Sequence, residues 1–97
     1  MDLQSDIDKL KAKNDKLEVK NEKLEAENEE LKAENEELKI LLKEVGISEN
    51  KELAIHARIT ANQTTIMANQ TTIAENQKII AENQKAINAA TTPTGNI

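Results

Sequence analysis

Residues 66 to 87 read IMANQTTIAENQKIIAENQKAI. Isoleucine recurs every seventh residue, at Ile66, Ile73, Ile80 and Ile87. An asparagine sits three residues after each of the first three, at Asn69, Asn76 and Asn83, and the pattern starts one heptad earlier with Ile59 and Asn62. Steps of three and four put these residues on one stripe of a helix, the seam of a coiled coil. With Ile as position a and Asn as position d, residues 51–90 read as one coiled-coil block.

A second seven-residue rhythm precedes it. Leu3, Leu10, Leu17, Leu24, Leu31 and Leu38 recur as position d, and position a is Ile7, Asn14, Asn21, Asn28, Asn35 and Leu42. The intervening Glu, Lys and Ala are good helix formers, so residues 1–45 read as a first block. Between the blocks, Gly46 suits a left-handed helix end and Ser48 suits the N-cap of a second helix. The a positions Leu42 and Ile59 are 17 residues apart, not a multiple of seven. Residues 46–50 are therefore a break or a phase slip, a break being the better reading. Residues 91–97, TTPTGNI, have no periodicity and read as a loose tail.

The composition agrees. The chain has no aromatic residue and no cysteine, and charged residues make up 32% of it. It lacks the large side chains that fill a globular core, which points to an all-α coiled coil. The net charge of −5 disfavours nucleic acid and anionic membranes as partners. No apolar run is long enough to span a bilayer. The N-terminus is charged from residue 2 and has no apolar h-region, so no secretion signal is expected.

Asparagine on a seam is costly. A buried amide without a partner costs roughly 1–3 kcal/mol, about what burying one Ile contributes. The amides must therefore be satisfied by one another, by water or by an ion. Asn14, Asn21, Asn28 and Asn35 are expected to set register, because a slip would oppose amide and aliphatic side chains. The flanking charges address direction. In a parallel in-register coil, position g meets position e of the neighbour's next heptad. The pairs Asp6–Lys11, Lys13–Glu18, Lys20–Glu25, Glu27–Lys32 and Glu34–Lys39 are all opposite in sign. They favour parallel, identical chains, with an antiparallel hairpin inside one chain as the rival.

The heptads ITANQTT, IMANQTT, IAENQKI and IAENQKA, covering Ile59 to Ile87, resemble the stalks of trimeric autotransporter adhesins and of some phage trimeric fibres. The chain has Gln where those repeats usually have Thr or His. The resemblance implies a trimer, with Asn62, Asn69, Asn76 and Asn83 as ligands of chloride ions in the oligomer core. Leu at d with Asn at a favours a dimer in the first block; a trimer throughout is preferred because the second block is the more unusual. Residues 32–48, KAENEELKILLKEVGIS, are similar to coiled-coil segments of phage scaffolding proteins.

The remaining residues carry little chemistry. His56 is the only histidine and reads as a half-exposed helix residue. Asn62-Gln63-Thr64 and Asn69-Gln70-Thr71 match the glycosylation pattern, but both asparagines lie on the seam. A leucine zipper that binds DNA needs a preceding basic region, and MDLQSDIDK is not one. No catalytic, metal-binding or phosphate-binding motif stands out, so no enzyme and no cofactor other than the anion is expected. The expectation is a parallel homo-oligomeric rod, about 130 Å long at 1.5 Å per residue, partnered by itself and by another structural protein at one end. A virion fibre or structural component fits best. A phage scaffolding or assembly protein, or a cytoplasmic coiled-coil adaptor, is the alternative.

Overall fold

The computed structural model describes residues 2–91; the expected tail lies almost wholly outside them. Two helices make up the described structure, α1 over Leu3–Leu41 and α2 over Glu49–Thr91. Their starts are capped locally. Asp2 Oδ1 accepts the Gln4 amide at 3.1 Å, and Ser48 Oγ accepts the Lys51 amide at 3.2 Å. Each side chain satisfies one of the amides that a helix start leaves without an intrahelical partner.

Helix α1 stops earlier than its heptads suggest. After Leu41 the chain tightens, with Lys43 donating to the Ile40 carbonyl and Glu44 to the Leu41 carbonyl. These are three-residue spacings, the tighter geometry that commonly ends an α-helix. Gly46 then takes φ 85°, the left-handed conformation that a side chain resists. The reversal thus occupies the residues between Leu41 and Glu49, with Gly46 near its end and not at the helix terminus.

The chain divides into two units. One comprises Met1–Glu22 with Thr72–Ile97, the other Lys23–Thr71. In each, part of α1 pairs with part of α2 running in the opposite direction. In the first unit Asn83 meets Asn14 and Asn76 meets Asn21; in the second Asn69 meets Asn28 and Asn62 meets Asn35. The numbers in every pair add to 97. The same register sets Leu17 opposite Ile80 in the first unit, and Leu31 opposite Ile66 and Leu38 opposite Ile59 in the second.

This pairing differs from the parallel contact between copies that the flanking charges favour. Within one chain, the order of the seam residues favours the antiparallel direction. Reversing one helix sets position a against position d. Block one has Asn at a and Leu at d, whereas block two has Ile at a and Asn at d. Antiparallel alignment therefore matches amide with amide and aliphatic with aliphatic. Aligning the two blocks in parallel would oppose Asn to Ile at position a and Leu to Asn at position d.

The seam is narrow. Ile7, Ile55, Ile59, Ile66 and Ile87 are the buried aliphatic residues, and none is completely enclosed. Leu10, Leu17, Leu24, Leu31 and Leu38 are only half-buried. Asn14, Asn21, Asn28 and Asn35 are more buried than the leucines beside them. The amides thus occupy the centre of the contact and the leucines its margin.

Candidate functional site

The asparagine ladder is the most organised chemistry of the chain. In each rung the α2 amide donates to the α1 carboxamide oxygen. The Nδ2–Oδ1 distances are 2.9 Å for Asn83–Asn14 and Asn76–Asn21, and 2.8 Å for Asn69–Asn28 and Asn62–Asn35. The α1 amides reach back to the facing helix at longer range. Asn14, Asn21 and Asn35 donate at 3.4 Å to the carbonyls of Ile80, Ile73 and Ile59. Each of those isoleucines lies three residues before the asparagine of the same rung. No buried side-chain nitrogen or oxygen among the described residues lacks a partner, so the desolvation of these amides is met within the protein.

The two units differ in what else the α2 amides hold. In the second unit Asn62 also donates to Glu34 Oε1 at 2.8 Å, and Asn69 to Glu27 Oε1 at 2.7 Å. Both glutamates occupy position g, one residue before the seam asparagine of α1. Arg58 Nε donates to the same Glu34 oxygen at 2.7 Å. The Arg58 hydrogen bond, helped by that from Asn62, holds the Glu34 carboxyl below the usual carboxylate range, and Glu34 in turn raises Arg58. At the two rungs of the first unit the residues before the seam asparagines are Lys13 and Lys20, which donate only.

This arrangement bears on the ligands that the family resemblance implies. Asn62, Asn69, Asn76 and Asn83 all sit on the seam, each bonded to an asparagine of α1. Both N–H groups of Asn62 and of Asn69 are committed, one to an amide oxygen and one to a carboxylate. At these two rungs a carboxylate of the protein, Glu34 or Glu27, accepts from the seam amide. Glu27 and Glu34 stand out in the sequence only as flanking charges. Their reach onto the seam amides follows from the antiparallel register, which brings position g of α1 beside position d of α2.

The rest of the described surface offers little else. No group of His, Cys, Asp and Glu is placed to hold a metal ion among the described residues, and His56 is exposed. No helix among them is long and apolar enough to cross a membrane. Two open grooves flank the seam. The first unit's is lined by Lys13, Lys16, Leu17, Lys20, Ile79 and Asn83, the second unit's by Glu34, Leu38, Lys51, Ala54, Ile55 and Arg58. No protein-family profile, curated protein or solved structure matches the chain.

Proposed function

We propose that the chain is a structural coiled-coil element, which spaces or joins other components and has no catalytic role. The observation that carries this reading is the pairing of seam asparagines across the helices, two rungs in each unit. Such a seam gives up stability, since Leu or Ile at the same positions would bury more apolar area. In return it penalises every other alignment of the helices. A protein whose task is a defined geometry benefits from that exchange. The setting that fits best is a virion fibre or other virion structural part, with another structural protein at one end. The IxxNQxx heptads support it. A scaffolding protein or a cytoplasmic adaptor is the alternative setting.

The second reading is a parallel homo-oligomer, a trimer before a dimer, with the second-block asparagines around chloride ions. The five opposite-sign g–e pairs favour it. It uses the same seam as the hairpin, so the two arrangements exclude each other. A distance within one chain separates them. Spin labels on Ala12→Cys and Lys85→Cys, both exposed, are diluted with unlabelled protein. A hairpin places them across one pair of helices, within roughly 20 Å. A parallel rod separates them by roughly 100 Å along its axis. Sedimentation equilibrium on the same sample gives the number of chains.

A further inference from the structure

The rungs of the two units differ in what flanks them. In the second unit Glu34 and Glu27, each next to a seam asparagine of α1, accept from Asn62 at 2.8 Å and from Asn69 at 2.7 Å. In the first unit Lys13 and Lys20 hold the same heptad position beside Asn14 and Asn21. An ammonium cannot accept a hydrogen bond. Among the described residues Asn83 and Asn76 therefore donate to one acceptor each, Asn14 Oδ1 and Asn21 Oδ1. Each of these rungs keeps a spare amide N–H and an ammonium beside the seam, donors without the carboxylate that completes the other unit's rungs.

Asn83, Lys13 and Lys20 line one open groove with Lys16, Leu17 and Ile79. Leu17 lies between Lys13 and Lys20 in sequence, and Ile79 lies between Asn76 and Asn83, so an apolar floor separates the two rungs. Ile79 is 44% exposed. Midway between the second unit's rungs the same heptad position holds Thr65. No acidic residue lines the groove. Asp6 is on the same edge of α1, but beside Ile7 and not beside an asparagine, and Glu75 and Glu82 are at position c of α2. None of these three acids, and no lysine of the groove, belongs to an ion pair among the described residues. The lysines are three and four residues apart, a spacing at which like charges destabilise a helix.

We infer that this groove binds an acidic amphipathic helix of another protein. Two of its carboxylates, one heptad apart, take the places at the first unit's rungs that Glu27 and Glu34 take at the second's. One accepts from Asn83 and Lys13, the other from Asn76 and Lys20, as charge-assisted hydrogen bonds. An apolar side chain between them covers Leu17 and Ile79, and the lysine stems flank it. The partner's pattern is that of Glu27, Leu31 and Glu34 in this chain. A small anion would meet the donors but leave the apolar floor open. A nucleic acid or an anionic membrane would meet the repulsion of a chain whose net charge is −5.

This binding site goes beyond the structural role and rests on the hairpin as the folded chain. The probe is a stapled helical peptide of three heptads, with Glu, Leu and Glu spaced as in Glu27, Leu31 and Glu34. Its binding is followed by fluorescence anisotropy at about 50 mM and about 500 mM salt. Wild type should bind it, more weakly at high salt, and a peptide with Gln for both Glu should bind at least roughly tenfold more weakly. The variant Lys13→Glu, Lys20→Glu supplies the missing carboxylates from within the chain, and its affinity should fall by a similar factor or more. Ile79→Gln, at an exposed position, should weaken binding severalfold. In nitrogen-15 NMR spectra the peptide should shift the side-chain amides of Asn83 and Asn76 and leave those of Asn62 and Asn69 in place. The Ala12–Lys85 spin-label distance is measured for each protein. With that distance short, no binding by wild type, equal binding by the lysine variant, or shifts at Asn62 and Asn69 instead overturns the groove alone. Tighter binding to phosphatidylserine vesicles or to single-stranded DNA, or wild-type dimers that the lysine variant abolishes, overturns the acidic helix as occupant. A long distance overturns the hairpin and the groove with it.

Discussion

Asn62 Nδ2 lies 2.8 Å from Asn35 Oδ1, and the same nitrogen lies 2.8 Å from Glu34 Oε1. One amide is thus held by its opposite number on the seam and by the residue next to that opposite number in sequence. The rung resists slippage for two reasons, since a shift along either helix breaks both bonds at once.

Single substitutions on the seam should therefore destabilise. Asn69→Ile leaves the Asn28 amide facing an aliphatic side chain, a loss of roughly 1–3 kcal/mol. Position 69 is only half-buried, so the apolar gain is smaller than for a full Ile. Thermal unfolding followed by circular dichroism should show a lower Tm for Asn69→Ile. The double variant Asn28→Leu, Asn69→Ile should melt above wild type. In a parallel homo-oligomer the single change replaces a whole ring, so a rise in Tm for Asn69→Ile alone would point to that assembly.

Acid should act on the second unit through Glu34. Its folded-state pKa lies below the unfolded one because Arg58 and Asn62 stabilise the carboxylate. That contribution is complete above the ordinary carboxylate range and is lost as pH falls through the folded pKa. Carbon-13 NMR of the carboxyl groups should show Glu34 titrating below the ordinary glutamate range. Glu34→Gln should flatten the acid limb of the stability curve without altering the plateau shape on the alkaline side.

Gly46 should tolerate little change. Nothing lies within 4 Å of where its Cβ would be, so the penalty is conformational and not steric crowding by neighbours. Gly46→Val should destabilise by at least about 1 kcal/mol in urea titrations, and Gly46→Asn by less. Ser48→Ala should cost about 1 kcal/mol through the lost cap on Lys51, and Ser48→Asp should retain it.

Halide should matter little to the hairpin. Glu27 and Glu34 already accept from the amides of Asn69 and Asn62. Exchanging chloride for nitrate at constant ionic strength should leave the melting curve in place. A clear shift in Tm would show that anions reach the seam, as they would in the parallel trimer.

Much of the site was legible before any coordinates. The seven-residue spacing of Leu10 to Leu38 and of Ile59 to Ile87 marks the helices and their buried stripe. The cost of an unpaired amide places Asn14 to Asn35 and Asn62 to Asn83 in partnered positions. The flanking charges bear on contact between copies and not on the pairing inside one chain. Five favourable g–e pairs argue for parallel copies, yet each is worth only a few tenths of a kcal/mol at an exposed site. The reach of Glu27 and Glu34 onto the amides could not be read, because it depends on which way the opposing helix runs.

By itself the sequence determined that there are helices, which stripe of each is buried, that amides lie on that stripe, and that the heptad phase is interrupted at residues 46–50. These follow from local propensity and from a period that any single helix displays. Only the tertiary structure decided which asparagine meets which. A heptad stripe is blind to the direction of its partner, and direction is settled by matching layers between two segments far apart in the chain. Joined by a short turn, α2 can reverse onto α1 without the entropy loss of bringing separate molecules together.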